Sequence, residues 1–308
     1  MSISKFIVVI ELFSFNKIYS AELFDNFYLK KLIESLLFIG SLSKCKDNFL
    51  ENGLYRKCDI KPDSDSLYLY FHGNAEYIRN IGISNVYDCI SKNKNISSVF
   101  YEYPGYFNTF GKYKDATIEN FIDYSKEIAN DIISFKKKNI YIVAWSLGVW
   151  VALMVLNNLA KYIISENIKV KVVLVNGFYD LYRFLDEFGG ILKNNNSGIL
   201  KNNNIISILY NSSVRILSKL FISDQINNML SNMRLIKKIK NISDIKYVTL
   251  SSCTHYDWFY TSEDIKIISD FLLKNISDKN IEILMASARA DKITGTGMFK
   301  IYKEICKK

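Results

Sequence analysis

A serine lies between two small residues at the end of an apolar, β-rich run. The run 139–143 is followed by Ala144-Trp145-Ser146-Leu147-Gly148, and an apolar helical pattern begins at Leu147. A nucleophilic serine at a strand-to-helix turn has a strained backbone and an exposed hydroxyl, and so tight a turn demands small residues on either side of it. Ala144 and Gly148 meet this demand. We therefore predict that Ser146 is the nucleophile of an acyl-transfer reaction.

The elements that would position this serine follow a regular pattern. From residue 66 onward, short β-rich runs alternate with longer amphipathic segments. This alternation is typical of right-handed βαβ units around a parallel sheet, and continuous apolar runs suit strands that helices cover on both faces. The predicted fold class is α/β, with Ser146 in the third βα unit. The predicted strands are 67–71, 98–101, 139–143, 170–175, 246–250 and 281–285, and the predicted helices are 76–91, 117–135, 147–164, 263–273 and 298–305.

The segment 178–240 interrupts this alternation with Gly-Gly and Asn-rich stretches followed by helical patterns. We interpret it as a helical cap inserted into the domain and expect it to shape the substrate pocket. The core is then 66–177 together with 241–308. Residues 1–65 are predicted to add edge strands and one helix, at about 28–38, to the same domain.

Three motifs in this order resemble the α/β-hydrolase superfamily. His72-Gly73-Asn74-Ala75 follows the first predicted strand, Tyr103-Pro104-Gly105-Tyr106 follows the second, and the serine turn follows the third. The first motif is similar to the oxyanion motif of one serine hydrolase branch, and the serine turn resembles that of carrier-protein methyl ester esterases. The resemblance implies a mostly parallel sheet flanked by helices. It also implies hydrolysis of esters, thioesters or amides without a cofactor, although some members are non-catalytic.

The resemblance also implies an oxyanion hole, meaning two backbone N–H groups that bind the negative oxygen of the tetrahedral intermediate. In this fold one donor comes from the loop after the first of these strands and the other from the residue after the nucleophile. We assign the donors to Asn74 and Leu147. His72 is then a structural residue.

The general base departs from the family pattern. A catalytic serine needs a histidine to take its proton and a carboxylate to hold that histidine. The family places the carboxylate after the strand 246–250, where Asp257 fits, and the histidine after the strand 281–285. The latter place holds Ala286 to Asp291 and no histidine. Because His72 belongs to the oxyanion loop, His255 is the predicted base, with Asp257 as the predicted acid.

Three arrangements stay open at this point. In the first, acid and base have exchanged loops, so that His255 is oriented by Asp291 or by its neighbour Asp257. In the second, 246–250 is the last strand of the sheet and Asp224 is the acid, which leaves 281–306 as an extra βα unit. In the third, the site lacks a base and the protein is a catalytically inactive binding or interaction protein.

Composition limits the partners and cofactors. The net charge is +9, but the lysines are scattered, and basic residues do not alternate with stacking aromatics on any helix, so we expect no nucleic-acid partner. Five cysteines without a C-x-x-C pair, and only two histidines, disfavour a metal site. We expect no metal and no cofactor. The expected substrate is a small-molecule or acyl-carrier ester.

Cysteine usage suggests reduced thiols and hence a cytoplasmic protein. Secretion is the open alternative, because residues 1–21 combine Lys5, an apolar run and a Ser20-Ala21 cleavage site, although Glu11 interrupts the run. We expect no transmembrane segment, the closest candidate being 140–156, while peripheral contact with a membrane stays open.

Overall fold

The predicted β-rich runs form one sheet, which has eight strands in the part of the chain that the computed structural model describes. That part comprises residues 50–51, 54–74, 82–92, 94–106, 115–180, 228, 230–252, 261–275, 278–289, 291 and 297–306, all within the unit Phe38–Lys308. The strands are β1 (Leu50–Glu51), β2 (Leu54–Asp59), β3 (Ser66–Phe71), β4 (Ser97–Tyr101), β5 (Asn139–Trp145), β6 (Lys169–Val175), β7 (Ser243–Thr249) and β8 (Ile281–Ser287).

Across the sheet the order is β1-β2-β4-β3-β5-β6-β8-β7. Strands β3 to β8 pair in parallel, whereas β2 runs antiparallel to both β1 and β4. The predicted parallel sheet is confirmed. Strands β1 and β2, which precede residue 66, lie at one end of the strand order. The predicted helix at 28–38 lies outside the described residues.

Helices cover both faces of the sheet, as the continuous apolar runs predicted. They are α1 (Gly82–Ser91), α2 (Ile118–Ser134), α3 (Leu147–Ser165), α4 (Asn232–Ile239), α5 (Ser262–Leu273) and α6 (Gly297–Cys306). Helices α1 and α5 pack on one face, while α3 lies against β3, β5 and β6, with α2 and α4 alongside it. Because alternate residues of a strand face opposite sides, every central strand needs apolar residues on both.

Helix α3 is apolar on nearly all sides. Among the described residues it is the one helix that is long and apolar enough to span a membrane, yet 67% of its most apolar window is buried inside the protein. The helix begins directly after Ser146, the candidate nucleophile, and packs against the sheet. A helix that is hydrophobic all round and surrounded by protein is a core helix.

The last two strands are arranged differently from their order in the chain. Strand β8 lies between β6 and β7 and pairs with both, from Val170↔Ile281 to Val175↔Ala286 on one side and from Ser243↔Ile281 to Thr249↔Ser287 on the other. Strand β7 therefore forms the edge, as the second arrangement assumed. That arrangement is wrong in treating 281–306 as an extra unit, because β8 is an interior strand with every residue buried.

Most of the predicted cap lies outside the described residues, namely 181–227 and 229. Its end is described: Ser231 caps α4 by accepting a hydrogen bond from the Arg234 N–H at 3.2 Å. Helix α4 is tied to α3, because the Asn157 side-chain amide donates to the Leu235 carbonyl at 3.1 Å. The cap itself stays a prediction.

Candidate active site

Ser146 occupies the turn between β5 and α3 that the sequence predicted. Its φ is 55° and its ψ is −116°, a left-handed conformation that non-glycine residues rarely adopt. The N–H of Ser146 donates to the Val175 carbonyl at 3.0 Å, and its carbonyl accepts from Val149 at 3.1 Å. Its side chain makes no capping hydrogen bond to the helix. The serine is 8% exposed. Strain of this kind is costly, and it concentrates where function requires it.

The small residue at position 148 has a physical cause. A Cβ at Gly148 would lie 2.1 Å from the Phe71 carbonyl oxygen and 2.6 Å from that of His72. The first turn of α3 thus passes directly against the end of β3, with only backbone at the contact. This approach brings the segment that begins at His72 beside the serine turn, so the loop is not remote from Ser146.

The loop after β3 is tightly packed where it is described. His72 and Gly73 are buried and Asn74 is half-buried, while Ala75 lies outside the described residues. A Cβ at Gly73 would lie 2.5 Å from the Trp145 ring, so this glycine allows the loop to cross the residue that precedes Ser146. Leu147, the other predicted oxyanion donor, is the first residue of α3, where the helix dipole favours negative charge.

Hydrogen bonds join the carboxyl ends of β6, β8 and β7 at this edge of the sheet. The Asn176 N–H donates to the Ala286 carbonyl at 2.9 Å, and its side-chain oxygen accepts from the Ala288 N–H at 2.8 Å. Further along, the Arg289 N–H donates to the Ser252 carbonyl at 2.8 Å. The loop after β8 is therefore held between Asn176, at the end of β6, and Ser252, after β7.

Asp291 is the one predicted acid within the described residues. It follows β8, is 7% exposed, and its N–H contacts the Ala288 carbonyl at 3.5 Å. The predicted base His255 and the other predicted acids, Asp257 and Asp224, lie outside the described residues. The described chain before His255 ends at Ser252, which is bonded to the loop that carries Asp291.

Asp264 is a residue whose role the sequence did not reveal. It lies in the first turn of α5 and is fully buried. Its carboxylate accepts from the Ser251 N–H at 2.7 Å, the Ser251 hydroxyl at 2.9 Å and the Ser252 N–H at 3.0 Å. Asp264 thus anchors the start of the loop that contains His255. Acidic residues are common in the first turn of a helix because they stabilise its dipole, so the sequence alone gives no reason to assign Asp264 a further role.

In the described part of the chain, no group of three or more His, Cys, Asp and Glu side chains is placed so that it could hold a metal ion. The described residues here include a strained serine at a helix N-terminus and a buried carboxylate, Asp291, after β8.

The strand order from β1 to β6, the helices on both faces and the strained serine turn after β5 define an α/β-hydrolase fold. The exchange of β7 and β8 is a variation at one end of the sheet. No protein-family model matches the sequence, and no curated protein matches it.

Solved structures with similar architecture are esterases and related enzymes. The Pyrococcus furiosus esterase Pf2001 has 14% identity and a TM-score of 0.43, covering 86% of this chain and 98% of that chain. Est1E from Butyrivibrio proteoclasticus with bound ferulic acid has 10% identity and a TM-score of 0.41, covering 82% and 94%. MenH from S. aureus has 15% identity and a TM-score of 0.35, covering 81% and 98%. At these values the fold assignment depends on the strand order and the serine turn.

Proposed function

We propose that this protein is a serine hydrolase that cleaves a small-molecule ester, thioester or amide through an acyl-enzyme on Ser146. The observation that carries the proposal is the backbone of Ser146: a non-glycine residue at φ 55°, between a parallel central strand and a helix N-terminus. Strained backbone persists only where the surrounding structure enforces it. Here the enforcing contacts are Gly148 against the end of β3 and the Ser146 N–H against β6.

In the proposed reaction the Ser146 oxygen attacks the substrate carbonyl carbon, and His255 takes the serine proton. The carbonyl oxygen becomes negative and is held by the N–H groups of Asn74 and Leu147. The tetrahedral intermediate collapses, and His255 gives the proton to the leaving oxygen, sulfur or nitrogen. Water then attacks the acyl-enzyme, again losing its proton to His255, and the acid is released as the proton returns to Ser146.

For the third member we propose Asp291 rather than Asp257. α/β-Hydrolases carry their triad in the chain order Ser, Asp or Glu, His, whereas this chain would carry Ser146, His255, Asp291. The sheet order supports the exchange, because β8 lies inside β7 and their carboxyl ends are hydrogen-bonded neighbours. Asp291 is also buried, as a carboxylate that orients a histidine should be.

The two acids can be separated by substitution. If Asp291 orients His255, D291N should lower kcat for p-nitrophenyl butyrate by about 10³–10⁴-fold, as loss of the triad carboxylate does elsewhere. D257N is the matched control and should keep most of the activity. The opposite pattern would assign the role to Asp257. Activity unchanged in both variants would remove a carboxylate-oriented base from the mechanism.

A further inference from the structure

The segment after β4 contacts the loop that carries Asn74, the proposed oxyanion donor. We call this segment, Glu102–Tyr106, the clamp. Its residues Tyr103-Pro104-Gly105-Tyr106 form a turn in which the Tyr106 N–H donates to the Tyr103 carbonyl at 3.0 Å. Gly105 has φ 76°, and a Cβ there would lie 2.2 Å from the Ala116 nitrogen. Proline followed by such a glycine is the signature of a type II turn.

The turn presents both tyrosine rings to His72. The rings of His72 and Tyr103 stack with centroids 3.9 Å apart, and the Tyr106 ring meets His72 edge-on at 5.7 Å. The Tyr103 hydroxyl donates to the His72 carbonyl at 2.9 Å. The backbone at the start of the loop is thereby fixed by a buried side chain from another strand end.

Glu102 fixes the histidine ring from its far side. Nε2 of His72 lies 2.9 Å from a Glu102 carboxylate oxygen, and both side chains are almost completely buried. Nδ1 lies 2.9 Å from the Gly73 carbonyl oxygen, which can only accept, so Nδ1 carries a proton. The Glu102 carboxylate thus holds the ring at Nε2, while the Gly73 carbonyl holds it at Nδ1.

Tyr106 reaches the oxyanion residue itself. Its hydroxyl donates to the Asn74 side-chain oxygen at 2.5 Å. Burial, and after it the negative charge of Glu102, raises the pKa of Tyr106 well above its ordinary value, so the hydroxyl stays a donor. The loop is thus held at both ends of its described part: at His72 by Glu102 and Tyr103, and at Asn74 by Tyr106.

We propose that the clamp sets the position of the Asn74 N–H, and that Glu102 and Tyr106 are positioning residues of the oxyanion hole. The proposal rests on the proposed function for its effect on catalysis. Donors of this kind work because they are held in place before the reaction begins. Losing the clamp should therefore impair the transition state more than substrate binding.

The sharpest test is Y106F, which removes one hydroxyl and keeps the ring. With p-nitrophenyl butyrate we expect kcat to fall about tenfold with KM nearly unchanged, less than the hundredfold or more that loss of a whole oxyanion donor costs. The matched control is Y141F on β5, which removes a hydroxyl that accepts a hydrogen bond from the Lys94 ammonium group at 2.7 Å. Y141F should keep the wild-type kcat. Equal kcat values for Y106F and wild type would overturn the proposal.

Glu102 is tested by a pair of variants. E102L leaves Nε2 of His72 buried without its partner, and we expect a fall in kcat of tenfold or more. E102Q can donate its amide N–H to Nε2 of a neutral His72, so a hydrogen bond is kept at this position. We expect E102Q to recover most of kcat. If both variants lose activity in proportion to lost thermal stability, Glu102 is only a folding residue.

Hydrogen–deuterium exchange separates this proposal from the proposed function. In peptides covering 66–74, Y106F should exchange faster than wild type, while Y141F should not. This readout does not need activity. An inactive wild-type protein with faster exchange in Y106F would refute the hydrolase function and keep the clamp. An active wild-type protein with unchanged exchange and unchanged kcat in Y106F would refute the clamp and keep the hydrolase function.

Discussion

Gly148 lets the first turn of α3 pass directly against the backbone at the end of β3, so adding a single methyl group there should disable the proposed site. In G148A the new Cβ would lie 2.1 Å from the Phe71 carbonyl oxygen, whereas ordinary van der Waals contact begins at 3.4 Å. The first turn of α3 and the end of β3 would have to separate by about 1.3 Å, the difference between those two distances. Neither group is a flexible side chain that could turn away.

The size of the effect follows from that displacement. In an exposed helix, glycine to alanine stabilises by about 1 kcal/mol. Here the overlap should make G148A destabilising instead, because overpacking a tight site costs about 1–3 kcal/mol. The functional effect should be larger, since misplacing catalytic groups by about 1 Å can cost about a hundredfold in rate. Leu147 would move away from Asn74, and the two donors would no longer meet the same oxygen.

The assay is the second-order rate of fluorophosphonate labelling, measured beside urea unfolding. We expect G148A to label about a hundredfold more slowly while remaining folded. S165A, at the exposed end of the same helix, serves as the control and should match wild type in both measurements. A G148A protein that labels at the wild-type rate would show that the contact between α3 and β3 does not position the site.

Three further sets of variants test the contacts that hold the sheet and the site together. Y68F removes a buried hydroxyl that has no hydrogen-bond partner among the described residues, and should raise the free energy of unfolding by about 1 kcal/mol at pH 7. Burial raises the pKa of Tyr68, so above pH 10 only the unfolded chain ionises there, and the advantage of Y68F in urea unfolding should grow as the pH rises. K171M leaves Glu282 buried without the ammonium group 3.5 Å away, removes the donor at 2.6 Å from the Phe271 and Lys274 carbonyls, and should cost about 3–5 kcal/mol in the same assay. K171M/E282M should recover the part of that loss that comes from Glu282. D264A frees the N–H groups of Ser251 and Ser252 and should lower kcat more than tenfold, whereas D264N, which keeps one acceptor oxygen, should lower it less; equal kcat values for D264A and wild type would contradict the anchoring role.

The serine turn and the parallel sheet could be predicted from the sequence because their signals are local. Small residues around Ser146, an apolar run before it and an apolar helix after it all lie within about 25 residues. Strands β3 to β6 also follow one another in the chain as βαβ units, so the pattern alone gives their direction.

The exchange of β7 and β8 could not be predicted with the same ease, because nothing within a parallel strand specifies its neighbour. One signal was present. Strand β7, Ser243–Thr249, has four polar residues among its seven and is only partly buried, as an edge strand is, whereas β8 is buried throughout. Comparing the two compositions would have placed β8 inside and made Asp291 the neighbour of the loop after β7.

The contacts of the clamp and of Asp264 were beyond sequence reasoning for another reason. Glu102 and His72 are 30 residues apart, and the pairing depends on β3 and β4 being adjacent in the sheet. The motifs that begin at His72 and at Tyr103 were identified separately, and Glu102 was not singled out; only the pairing of the strands brings Glu102 to His72.

The central claim is that Ser146 is a nucleophile activated by His255, and reaction with a fluorophosphonate tests it directly. The wild-type protein, S146A and H255A should be incubated with the probe, digested and examined by peptide mass spectrometry. We expect the phosphonyl adduct on Ser146 in the wild-type protein, no adduct in S146A, and strongly reduced labelling in H255A with the fold intact by circular dichroism. An unlabelled Ser146 in folded wild-type protein would contradict the account and favour a catalytically inactive binding protein, and undiminished labelling of H255A would show that another group activates the serine.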